Sequence, residues 1–205
     1  MKNVFKNLVY LLLAGLLVFS CKLKKIESEK EKSERELKDK FVELFTVTPS
    51  ATEPVIGVWR ADQAALEKTI ADVFLKSYTP KPNEASKDIL IERIRNTHCF
   101  LILRDPGSIL LLTIAFDGKF GLSQGKWQIS KITSGNTPRR HYTGELIGNS
   151  TEMVKLELVQ EKNKTHLYYY DSKGKLEFFP ETNNPGDLAT YYFNRHTSMQ
   201  SIPEY

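Results

Sequence analysis

Two cysteines, four histidines and 25 carboxylates are the side chains of this 205-residue sequence best suited to chemistry. A metal centre or a nucleophilic site needs several such groups at set spacings. His98, His141, His166 and His196 are scattered, and no C-x-x-C or H-E-x-x-H pattern occurs. No glycine-rich phosphate loop and no G-x-S-x-G turn is present. The carboxylates are many, but no pair stands out. The sequence therefore offers no catalytic set and implies no cofactor and no metal. Cys99 lies in His98-Cys99-Phe100-Leu101-Ile102, where a thiol reads as a small buried side chain rather than a nucleophile. Cys21 stands differently, at the end of an apolar segment.

That segment has three parts. Lys2 and Lys6 make a positive start, and an apolar run extends from Leu8 to Phe19. The run has the length of a signal-peptide core and falls short of the roughly 20 apolar residues of a spanning helix. It ends in Leu17-Val18-Phe19-Ser20-Cys21, with an aliphatic residue three before the cysteine and a small one just before it. This resembles the lipobox of bacterial lipoproteins, in the relaxed form familiar from spirochaetes, with Phe19 where a smaller residue is usual. The resemblance implies that residues 1–20 are removed and that Cys21 carries acyl chains, palmitate among them, on its sulfur and its new amino group. Two or more chains give a stable anchor where one is marginal. The implied partner is the membrane and the implied location the cell envelope. Lys22 after the cysteine points to the outer membrane.

Without Lys2 and Lys6, 27 basic residues face 25 acidic ones. So near-neutral a balance, with both signs mixed along the chain, gives no case for a nucleic-acid partner. Cys99 is the one thiol left once Cys21 is acylated, which excludes an internal disulfide.

Residues 21–53 read as a tether. Lys22 to Lys40 is too charged to bury a core by itself. Glu31–Arg35, Glu34–Lys38 and Glu36–Lys40 place the acid four residues before the base, which supports a helix. Leu37, Phe41, Leu44 and Phe45 share one helical stripe, so the last turns are suited to docking on the domain downstream. Pro49 and Pro54 mark a loop.

Residues 54–196 read as one domain, and 197–205 as a tail. Val55–Arg60 suits a first strand, and Asp62 can cap a helix whose Leu66, Ile70, Val73 and Phe74 share a face. Thr79–Asn83 breaks that helix, and Glu84–Thr97 suits a second, completing a helical insertion over 62–97. Short strands come next, at Phe100–Arg104, Ile109–Phe116, Lys119–Ile132 with a kink or bulge near Gly125, and His141–Ile147. Others lie at Met153–Gln160, Thr165–Tyr170, Leu176–Phe179 and Ala189–Arg195. Asp105-Pro106-Gly107 and Asp117-Gly118 are turn signals. Such spacing predicts a mainly β fold, a sandwich or a barrel. Val154, Leu156 and Leu158 alternate with Lys155 and Glu157, which gives one wet face. Ile109 to Leu112 is apolar on both faces, so its outside needs a cover, and the helix of Leu66 and Ile70 is the available one.

Gly57-x-Trp59 on the first strand, the Asp-Gly hairpin, Gly125-x-Trp127 and an Arg closing the last strand resemble bacterial lipocalin-like, calycin-type domains. The resemblance implies an up-and-down antiparallel β-barrel, interrupted here by the helical insertion after its first strand. It also implies that Gly57 and Trp59 close one end of the barrel, with Arg195 against the Trp59 ring, and that the barrel binds a small apolar ligand. Tyr168-Tyr169-Tyr170, Phe178-Phe179 and Tyr191-Tyr192-Phe193 fall on adjacent predicted strands. They suit core and cross-strand packing or the lining of a cavity, for which Tyr168 and Tyr170, on one face of one strand, are the candidates. The alternative is an envelope or host-surface module that contacts another protein and holds no small molecule.

Overall fold

The computed structural model describes residues 29, 31–68, 71, 84–135, 137–148, 151–161, 164–172 and 174–195. The leader 1–20, Cys21, Ile70, Val73, Phe74, the Thr79–Asn83 break, His196 and the tail 197–205 lie outside the described residues. The chain forms two compact units, Met1–Lys40 and Phe41–Tyr205. A helix, α1, runs over 31–45. Its part in the first unit is largely exposed, with Lys32 and Glu36 paired at 3.9 Å.

The second unit is a closed barrel of eight antiparallel strands in sequence order. They are β1 (Gly57–Ala61), β2 (His98–Arg104), β3 (Ser108–Ile114), β4 (Phe120–Thr133), β5 (Arg139–Ile147), β6 (Thr151–Glu161), β7 (Lys164–Asp171) and β8 (Gly174–Pro180). β1 pairs with β8 to close the ring, through Trp59 opposite Pro180 and Ala61 opposite Phe178. This is the up-and-down barrel, with helix inserted after the first strand, that the sequence implies. Closure removes the sheet edges that invite aggregation. Between β1 and β2 the described helix is α2 (63–68) and α3 (Glu84–Arg95). Asp62 caps α2 by accepting from the Ala65 amide at 3.0 Å. A last helix, α4 (Pro185–Arg195), comes after β8.

Period-two alternation fills the bore. Leu101, Leu103, Ile109, Tyr142, Leu156, Leu158, Leu167 and Phe178 point inward and are buried. Gly118 takes the left-handed conformation (φ 78°) that the Asp117-Gly118 hairpin needs. Gly125 serves close approach rather than a kink, since a Cβ there would lie 1.6 Å from the Glu145 carbonyl oxygen. The bulge falls later in β4, between Ile129 and Lys131.

Phe100 and Ile102 of β2 and Leu110, Leu112 and Ile114 of β3 are buried on the outside of the barrel. Their cover differs from the expected one. Phe41, Leu44 and Phe45, at the end of α1, and Tyr192 of α4 lie over them. Phe45 meets Phe100 edge-on at 4.9 Å, and Phe41 lies 6.1 Å from Phe120 and 5.8 Å from Tyr192. Arg104 then donates to the carbonyls of Glu43 and Leu44, meeting acceptors that the helix end leaves open. Leu66 belongs instead to the interior cluster.

The predicted strand Ala189–Arg195 is a helix. Asn184 accepts from the Asp187 amide at 2.8 Å, Pro185 stands first, and Asp187 lies in the first turn. These are helix-start signals. Leu188, Ala189 and Tyr192 are its buried face.

Candidate functional site

The bore has two unlike ends. At the end where β1 begins, Val55 is fully buried and the Trp59 indole donates to its carbonyl at 2.8 Å. Trp127 donates to the Ser108 carbonyl at 3.1 Å and meets Tyr142 edge-on at 5.3 Å. Glu53 accepts from the Tyr142 hydroxyl at 3.3 Å and from Arg140 at 3.4 Å, and Arg140 also donates to the Thr52 carbonyl. Burial, then the Glu53 charge, raises the Tyr142 hydroxyl above the usual phenol range, so it stays a donor. Apolar rings and a satisfied polar cluster seal this end. Gly57 stands beside the indole, where an added Cβ would lie 3.8 Å from its nitrogen.

Arg195 plays no part in that seal. It ends a helix, not a strand, and its guanidinium lies 5.6 Å from the Tyr191 ring centroid and donates to Asn96. Of the aromatic run that suggested a strand, Tyr192 lies on the packed face of α4 and Tyr191 is exposed, and α4 carries Arg195 to α3's end.

At the other end, where β1 finishes, the inward positions are Cys99, Leu111, Thr113, Ser123, Glu152, Tyr169, Asp171 and Leu176. Their register places them on the same face as the sealed core, with Leu111 opposite Ser123, Cys99 opposite Thr113 and Tyr169 opposite Leu176. Here Leu111, Thr113, Ser123, Glu152, Asp171 and Leu176 are only half-buried. A side chain pointing into a closed barrel reaches water through the bore or its mouth. The half-buried positions make this end the more water-accessible one, with Cys99, Leu146 and Tyr169 buried among them, while at the Trp59 end Trp127 is half-buried.

The chemistry at the solvated end is quiet. The Cys99 thiol is pushed up to about 12, chiefly by burial, against a smaller opposite effect of its Thr113 hydrogen bond. It stays a neutral thiol, as its apolar run suggests. Tyr169 is likewise raised, first by burial and then by the charges of Asp171 and Glu152. Glu152 accepts from the Ser172 amide and hydroxyl, and Asp171 from the Gly174 amide at 2.9 Å. No group of three or more His, Cys, Asp or Glu able to hold a metal occurs among the described residues.

Tyr168 and Tyr170 face away from the bore. The Lys175 ammonium lies 3.5 Å from the Tyr168 ring centroid, and the Tyr170 hydroxyl donates to Glu157 at 2.9 Å. The inward residues of β7 are Leu167 and Tyr169. The lining candidates must therefore be moved by one residue. A one-residue shift exchanges the faces of a strand.

A groove of about 550 Å³ lies on the rim of the sealed end, lined by Val47, Pro54, Val58, Pro180, Glu181 and Leu188 among others. Its one carboxylate, Glu181, accepts from the Asn183 amide at 3.0 Å and lies 3.6 Å from Arg60, so it ties the β8–α4 connection to β1.

Topology places the chain in the class of closed, eight-stranded, up-and-down barrels. No protein-family model and no curated protein matches the sequence. Among solved structures it is similar to fatty-acid-binding protein 1 of Echinococcus granulosus, with 12% identity and a TM-score of 0.30. That match covers 63% of this chain and 98% of the other.

Proposed function

We propose that this protein is a lipid-anchored component of the cell envelope, and that its calycin-like barrel holds a small apolar molecule in the solvated end of its bore. The observation that carries the ligand reading is the change along one inward face. Trp59, Tyr142 and Leu158 are buried, whereas Leu111 and Leu176 are half-exposed. An apolar wall with a few polar groups, here Thr113, Ser123 and Tyr169, is the usual make-up of a small-molecule site. The leader and Cys21 support the anchor. A second reading, a contact module for an envelope or host protein, draws on the outward position of Tyr168 and Tyr170.

Two measurements test the proposal. Cells fed labelled palmitate incorporate it into the wild-type protein and not into Cys21→Ala, and an unlabelled wild type contradicts the anchor. A fluorescent fatty acid or a neutral apolar dye brightens on titration into the protein. Leu111→Trp fills the bore and weakens uptake at least about tenfold, since large insertions into filled space are poorly tolerated. Tyr168→Ala leaves uptake unchanged. Uptake that tracks Tyr168 and ignores Leu111 contradicts a site in the bore.

A further inference from the structure

β4 outruns its neighbour. Its pairing with β3 ends at Lys126 opposite Ser108, with one further bond from the Trp127 amide to the Gly107 carbonyl at 2.7 Å. Residues 128–133 pair with β5 alone among the described residues. Six residues of strand extend about 20 Å past β3. β4 thus has an open edge at the sealed end, while β5 beside it stays paired with β6 as far as Arg139 opposite Val159.

Two features set this hairpin apart. The bulge brings Ile129 opposite Tyr142 and Ile132 opposite Arg140, two positions on one face of β5, so both isoleucines share a face. They are 42% and 58% exposed, in a stretch where a regular strand would have sent them to opposite sides. The second feature is charge. Between Asp117 and Glu145 the sequence has Lys119, Lys126, Lys131, Arg139 and Arg140 and no acid at all. Arg139 shares Glu157 at 2.7 Å and Arg140 shares Glu53 at 3.4 Å, both carboxylates from outside the hairpin. Lys119 pairs with Asp117, just before the run. Lys126 and Lys131 are exposed on the other face of the ribbon, Lys126 opposite Glu145 and Lys131 opposite His141.

We propose that the β4–β5 hairpin docks on an anionic lipid surface. Ile129 and Ile132 would enter the boundary between headgroups and acyl chains, and Lys126 and Lys131 would lie among the phosphates. The combination of apolar side chains with surrounding cations is what interfacial elements use, and lysine stems can lie along the apolar layer with the ammonium at its edge. A soluble acidic partner would satisfy the lysines and leave the isoleucines in water. The solvated end of the bore, at the opposite end of the barrel, would then face away from the bilayer. This docking depends neither on the ligand nor on the acyl anchor.

The test uses the chain from Lys22 onward, which keeps every described residue and carries no acyl group. It is floated with vesicles of phosphatidylcholine alone or mixed with phosphatidylglycerol. The expected result is binding to the anionic vesicles, weakened by salt, and little to the neutral ones. Ile129→Ser and Ile132→Ser each lower the partition coefficient about tenfold, the effect of leaving one such side chain in water. Lys131→Glu lowers it without touching the apolar pair. Ile147→Ser, a similarly exposed isoleucine at the far end of β5, leaves it unchanged. Binding that ignores lipid charge, binding indifferent to Ile129 and Ile132, or capture by heparin with none by vesicles would each overturn the proposal. Because no acyl chain is present, failure here leaves the Cys21 reading intact, and palmitate labelling decides that separately.

Discussion

Glu157 shows how the outer face of the barrel is held. It accepts from Arg139 on β5 at 2.7 Å and from Tyr170 on β7 at 2.9 Å, joining three strands through one carboxylate. Partial burial pushes its titration up, but the Arg139 and Tyr170 hydrogen bonds and the Arg139 charge outweigh that and hold it below the usual range. A depressed carboxylate contributes stability above its unfolded-state value, and that contribution fades as the pH falls through its folded-state value. Urea unfolding near neutral pH should therefore show Glu157→Gln about 1 kcal/mol less stable than wild type. The gap should close as the pH falls below the usual carboxylate range. A gap that persists into acid would mean that packing, not charge, makes the contact. The same strand shows what residue types alone conceal. Three consecutive tyrosines must alternate, but their own identities do not say which faces inward. Leu167 does, because it is the aliphatic residue of β7 and shares its parity with Tyr169. Read from Leu167, the lining falls on Tyr169 and leaves Tyr168 and Tyr170 outside.

At the scale of elements, strand order and most strand positions arise from alternation and turn residues. The exceptions have physical causes. Tyr191-Tyr192-Phe193 has strand-like composition, but the Asn184-Pro185-Gly186-Asp187 start makes 185–195 a helix, and only Tyr192 of the three is fully buried. Capping outweighed aromatic content. The cover over β3 came from α1's end and α4, because a stripe of apolar residues shows that a helix is amphipathic and not where it docks. Gly125 reads as a kink in sequence, yet its role is to let β4 pass close to Glu145. Gly125→Ala should therefore cost more than about 3 kcal/mol or prevent folding, the range for overpacking against rigid backbone. Gly121→Ala, four residues earlier on the same face and 3.8 Å from its nearest neighbour, should be nearly silent. Thermal unfolding of the two variants distinguishes them, and equal effects would remove the close-approach account.

At the scale of the molecule, a mainly β fold is legible in the spacing of the short strands and the barrel in the resemblance that the Gly-x-Trp motifs carry, while the difference between its two ends is not. Trp59 marks the sealed end in sequence. The more open end depends on which inward side chains keep water, and that is set by how the separate hairpins meet around the closed ring, one with Leu111 facing Ser123 and another with Leu176 facing Tyr169. The cationic run from Lys119 to Arg140 escapes notice in whole-chain charge counts, because acids elsewhere balance it. The central claim is that the solvated bore carries a small apolar molecule. Native mass spectrometry of the protein purified gently from the cells that make it tests this most directly. The expected result is an added, dissociable mass of lipid or metabolite size on the wild-type protein, absent from Leu111→Trp and retained by Tyr168→Ala. A wild-type protein that carries no dissociable mass, and that takes up no apolar probe when offered one, would contradict it.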